Sequence, residues 1–119
     1  MIADDVRELT REKVAALVQR AKGPQPFGGD ERRQLPRWPV GGMVQLWQAG
    51  SGVLPAFGTC RDISEVAVGV TCDQMFLPGM VVNIALELPD HCLHGQGVVR
   101  RCTETDAGYD LGIEFRFAD

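Results

Sequence analysis

The sequence predicts a mainly β domain behind a single N-terminal helix. Three features carry that expectation: apolar residues at helical spacing near the N-terminus, a Pro- and Gly-rich stretch over 23–41, and period-two alternation from Gly42 onward. At 119 residues the chain has room for one domain and one modest core. Its 14 Gly and 7 Pro make it rich in turns, which favours short strands over long helices.

The first unit, 1–23, reads as one amphipathic helix over 3–22. Val6, Leu9, Val14, Leu17, Val18 and Ala21 recur at helical spacing between charged residues. Asp4 and Asp5 near its start and Arg20 and Lys22 near its end match the sign of the helix dipole. Gly23 and Pro24 stop it. A lone helix of this length is marginal in water, so its apolar stripe has to dock on the domain, on a second copy to form a homodimer, or on a partner. Residues 24–41 read as a linker, with Pro24, Pro26, Gly28, Gly29, Pro36, Pro39 and Gly41 leaving little room for regular structure.

Residues 42–119 form the β unit. Val82, Ile84, Leu86 and Leu88 alternate with Asn83, Ala85 and Glu87; Tyr109, Leu111, Ile113 and Phe115 alternate with Asp110, Gly112 and Glu114. Weaker strands fit 42–48, 54–62, 66–72 and 95–103. Turn residues separate them at Gly50-Ser51-Gly52, Pro78-Gly79, Pro89-Asp90 and Asp106-Ala107-Gly108. Roughly six short strands at this spacing imply an antiparallel sheet closed into a small barrel or sandwich. A barrel of that size is filled by its own side chains, so a ligand belongs on its outside or rim.

Composition narrows the function. A net charge of −4 argues against coating a nucleic-acid polymer, which requires neutralising many phosphates. No run approaches the ~20 apolar residues of a membrane span. The charged N-terminus lacks the apolar core of a secretory signal. The scattered Cys60, Cys72, Cys92 and Cys102 read as free thiols in a reducing cytoplasm. Asp90-His91-Cys92-Leu93-His94 holds three candidate zinc ligands without a partner pair at known spacing, and reads as a hairpin loop. No cofactor is expected. Enzyme readings lack parts: both histidines share that segment, and neither a Gly-x-Ser-x-Gly nor a phosphate-binding glycine loop is present.

Two constellations remain. The first is Glu31-Arg32-Arg33-Gln34-Leu35-Pro36-Arg37-Trp38, kept out of a helix by Pro36. A guanidinium can fork onto a phosphate or onto O6 and N7 of guanine, and can stack on a base. The plain alternative is solvated linker charge. The second is Asp62-Ile63-Ser64-Glu65-Val66-Ala67-Val68-Gly69, at a strand end and turn. A carboxylate can accept from guanine N1 and N2, with a serine hydroxyl beside it. The plain alternative is an Asp and a Ser bonding their own turn.

Together these residues resemble the PilZ family, whose signature is Arg-x-x-x-Arg ahead of a six-stranded β-barrel, then Asp/Asn-x-Ser-x-x-Gly on the barrel surface. Arg33-Gln34-Leu35-Pro36-Arg37 fills the first motif, and Asp62-Ile63-Ser64-Glu65-Val66-Ala67 fills the second except at its last place. Leu77-Pro78-Gly79 and Gly108-Tyr109-Asp110-Leu111-Gly112-Ile113-Glu114-Phe115 also look like later strands of that family, so the resemblance spans about 31–117. It implies a PilZ-type barrel that binds the bacterial second messenger cyclic di-GMP and signals to a downstream protein. Arg33 and Arg37 would take phosphate and guanine, Arg32 would be a third cation, and Asp62 and Ser64 would read a guanine edge. Trp38 would pack on the ligand or on the barrel. Ala67 stands where the motif has glycine; it would be strained if the position needs positive φ and a lesser obstacle if only close approach matters. Loss of binding there would leave an adaptor working through protein contacts alone. The N-terminal helix is expected to cover the open end of the barrel.

Overall fold

Alternation gives each strand one apolar face, and six strands bury that face together by closing into a barrel. The structure, a computed structural model, describes residues 6–22, 38–39, 42–50, 55–87 and 92–117. Its elements are β1 (Val6–Glu8), α1 (Arg11–Lys22), β2 (Trp38–Pro39), β3 (Met43–Gln48), β4 (Ala56–Ile63), β5 (Ala67–Cys72), β6 (Val81–Glu87), β7 (Cys92–Thr105) and β8 (Gly108–Arg116). The circuit runs β3–β4–β5–β8–β7–β6 and back to β3, every pair antiparallel. The expected six-stranded barrel is therefore present and closed.

Val44, Leu46, Val70, Ile84, Leu111 and Ile113 fill the interior. Space there is short. A Cβ at Gly97 would lie 2.6 Å from Ile113 Cγ2 and 2.8 Å from the Glu114 carbonyl, so that strand position takes no side chain. Gly79 (φ 93°), in the turn leading into β6, and Gly108 (φ 134°), in the β7–β8 hairpin, adopt backbone that L-residues rarely take, which is why turn glycines stand there.

The N-terminal helix begins later than its periodicity implied. Val6–Glu8 instead pair in parallel with Cys92–His94 as β1. The Leu9 N–H donates to the His94 carbonyl at 2.7 Å, and Leu9 lies over Gly95, where a Cβ would come within 2.5 Å of the leucine Cβ. Thr10 then caps the helix: its Oγ1 accepts from the Lys13 N–H at 3.3 Å, and its carbonyl accepts from Val14 at 3.0 Å. Leu9 and Val14, both buried, occupy the N′ and N4 positions of a hydrophobic staple. Strand pairing corrects the loop reading of 90–94. Cys92, Leu93 and His94 pair with Glu87, Leu86 and Ala85 of β6 on one side and with β1 on the other; Asp90 and His91 lie outside the described residues.

Of the three destinations open to the helix stripe, it takes the first. Val14, Leu17 and Val18 join one core with Ile63, Leu93 and Phe115, closing the barrel end where β4 and β8 finish. The Arg11 guanidinium sits 4.8 Å from the Phe117 ring centroid, and Phe117 packs on Phe115 with ring centroids 5.5 Å apart. The helix also packs against β2.

Gly97→Ala is expected to destabilise the fold by about 1–3 kcal/mol through overpacking, read as a lower urea midpoint at unchanged slope. An unchanged midpoint would show that the interior yields around a methyl.

Candidate functional site

β4 carries one residue more than strict alternation allows. Cys60 and Ile63 both point inward, and the pairing with β5 slips between Cys60 and Asp62, so Arg61 and Asp62 both reach the outer surface. β7 repeats the device: Val99 is buried, the register slips between Val99 and Arg101, and Arg100 and Arg101 are both exposed. The two bulges flank one cross-strand row, Pro39–Asp62–Gly69–Gly112–Arg101, which spans five strands.

Asp62 does not stand alone in that row. Arg61 Nε donates to Asp62 Oδ2 at 3.4 Å, and Arg61 Nη1 meets Asp110 Oδ1 at 3.0 Å. Asp110 Oδ1 also accepts from Thr71 Oγ1 at 3.1 Å. These side chains lie across Gly69, where a Cβ would come 2.5 Å from Asp62 Oδ1 and 2.6 Å from Arg61 Nη2. A bare backbone at Gly69 is what lets the network lie flat on the sheet. On the far side, the Arg101 guanidinium lies over Gly112, 3.8–3.9 Å from where a Cβ would be.

Ser64 is 2% exposed. Its Oγ accepts from the Val66 N–H at 3.3 Å and the Ala67 N–H at 3.1 Å, and its own N–H donates to the Ala67 carbonyl at 2.9 Å. The hydroxyl thus closes the tight turn that holds Asp62 at the strand end. Among the described residues no non-glycine has positive φ, so Ala67 takes up its place in β5 without backbone strain.

Trp38 and Pro39 pair with Ile63 and Asp62 through β2. The structure therefore brings the backbone that directly follows Arg37 alongside Asp62. Arg32, Arg33 and Arg37 themselves lie outside the described residues. Sequence reasoning missed Arg61 and Thr71, and it gave Gly69 and Asp110, though both lie in the segments quoted above, no role in the site. One signal was available: Cys60-Arg61-Asp62-Ile63 and Val99-Arg100-Arg101-Cys102 each put two adjacent charged residues between inward-facing ones, a pattern that plain alternation cannot accommodate.

Beneath the network, burial pushes the Cys60 thiol up to about 12; the Asp62 charge adds to the rise and Arg61 opposes it. It remains a protonated, inert thiol rather than a nucleophile. All four cysteines are free. Among the described residues no His, Cys, Asp and Glu cluster fits a metal ion, and no helix is long and apolar enough to cross a membrane.

A groove of about 430 Å³ lies elsewhere, on β1, β3, β6 and β7, lined by Arg7, Glu8, Trp47, Asn83, His94 and Gln96 among others. Its amides partly satisfy one another, Gln96 Nε2 donating to Asn83 Oδ1 at 3.3 Å.

Comparison with known proteins agrees with the geometry. The sequence model of the family described as PilZ domain matches residues 31–119, about three quarters of the chain. No curated protein matches the sequence. Among solved structures, the Bacillus subtilis inhibitor of motility (MotI/DgrA) shares the fold at a TM-score of 0.60 and 19% identity. The match covers 79% of this chain and 49% of the Bacillus one, so this chain spans about half the length of that protein.

Iodoacetamide at pH 8 is expected to leave Cys60 unmodified in the folded protein and to alkylate it in urea. Alkylation at equal rates in both states would contradict the buried, protonated thiol.

Proposed function

The chain belongs to the PilZ domain family, and on that premise we propose that it is a receptor module for cyclic di-GMP that passes the signal to a protein partner. PilZ domains are binding and adaptor modules rather than enzymes. The observation that carries the reading is the β2–β4 pairing, which sets the chain immediately after Arg37 beside Asp62. It supports a site in which the arginine segment closes over the rim of the barrel.

In this reading Arg33 and Arg37, with Arg32 as a third cation, take the phosphates and the O6/N7 edge of guanine. Asp62 accepts from guanine N1 and N2, the pair of donors that a carboxylate matches. Ser64 contributes by fixing the turn that presents Asp62, and Trp38 would pack on the ligand or on the barrel. Ala67 is compatible with binding: its unstrained backbone removes the conformational reason for glycine, leaving one methyl to accommodate.

The output runs through β2. A ligand that bridges the 24–37 segment and the rim acts on the strand against which α1 packs, and so biases the position of the helix. The downstream partner is a protein, reached in the bacterial cytoplasm where the messenger is made. The Bacillus neighbour is named for inhibiting motility, one output that such a module can serve.

Calorimetric titration with cyclic di-GMP tests the proposal. Micromolar or tighter binding is expected, with Arg33→Ala and Arg37→Ala each costing about 1.5–3 kcal/mol, the scale of a hydrogen bond to a charged group. Absence of binding to the folded protein would transfer the reading to an adaptor that works without the nucleotide.

A further inference from the structure

Asp62 belongs to a run of side chains that crosses from β4 to β5 and β8. Thr71 Oγ1 and Arg61 Nη1 both meet Asp110 Oδ1, at 3.1 Å and 3.0 Å, and Arg61 Nε reaches Asp62 Oδ2 at 3.4 Å. Asp110 and Asp62 thus share one guanidinium, and Asp110 holds it from the neighbouring strands while it touches the Asp62 carboxylate. A group that must meet two donors of a planar base loses affinity with every misplaced rotamer, so each contact that orients the carboxylate counts. The backbone suits this role, because the bulge turns Arg61 and Asp62 to the same face and Gly69 leaves the surface bare beneath them.

We infer that Arg61 and Asp110 are positioning residues that set the base preference of the site by holding the Asp62 carboxylate, and that Gly69 is the glycine on which this arrangement depends. The inference rests on the cyclic di-GMP reading above and deepens it. Phosphate recognition by the arginine segment would retain any cyclic dinucleotide, whereas the oriented carboxylate distinguishes guanine by its N2 amine. Arg61 is one-third exposed and flanked by two carboxylates, so its charge is balanced locally and its role is geometric.

The probes are cyclic di-GMP and cyclic di-IMP, which keeps both phosphates and N1–H but lacks the N2 amine. The wild-type chain is expected to prefer cyclic di-GMP by about tenfold, the value of one good hydrogen bond. In Asp110→Asn the preference should fall to about threefold or less, mainly through weaker cyclic di-GMP binding, while cyclic di-IMP affinity changes little. A general loss of structure would lower both affinities together, so the ratio separates positioning from folding. Gly69→Ala, which puts a methyl against the Asp62 carboxylate, should narrow the ratio in the same way. If Gly69→Ala does not fold, Asp110→Asn decides, because Asp110 is a surface residue.

A wild-type preference that survives unchanged in Asp110→Asn overturns the inference and leaves the receptor reading intact. Equal wild-type affinity for the two nucleotides also overturns it, since Asp62 then does not read the amine. Failure of the wild-type chain to bind cyclic di-GMP at all removes the receptor reading and this inference with it.

Discussion

The extra residue in β4 decides what the surface of this barrel can do. Strict alternation after Cys60 would send Asp62 into an interior filled by Val70, Leu111 and Ile113 and would turn Ile63 out to water. Burying that carboxylate without a partner would cost several kcal/mol, at least ~2. The bulge avoids both faults at once: Ile63 stays fully buried and Asp62 emerges beside Arg61. The matching slip in β7 keeps Val99 inside and brings Arg101 out at the other end of the same row.

From that constraint follows the layout of one end of the molecule. The Ser64–Ala67 turn, the β2 strand and the helix gather where β4 and β8 finish. Phe115 links them, its N–H donating to the Val66 carbonyl at 2.8 Å while its ring packs on Phe117, over which Arg11 lies. A ligand drawn between the arginine segment and Asp62 would thus act where the helix is seated. Val14, Leu17 and Val18 of α1 pack into the core of its own barrel.

The barrel was legible because its strands obey the simplest rule. Val82, Ile84 and Leu86, and Leu111, Ile113 and Phe115, face inward as their alternation requires. The start of the helix was not legible in the same way, because Val6 and Leu9 satisfy helical spacing and also fit a strand followed by a plug over Gly95. Only a partner distant in sequence, Cys92–His94, favours the strand. In the site, Asp62 and Ser64 stood out through their motif. The meeting of Arg61, Gly69 and Asp110 did not, since it depends on registers joining β4 to β5 and β5 to β8, and register is a property of the closed barrel.

The central claim is that the ligand surface is the rim around Asp62 and not the groove beside Trp47. A titration of the 15N-labelled protein with cyclic di-GMP, followed residue by residue through its amide signals, tests it most directly. The account predicts that Trp38, Asp62, Ala67 and Gly69 shift while Trp47, Asn83 and Gln96 stay in place. Shifts confined to the groove residues, with Asp62 and Gly69 unmoved, would contradict it.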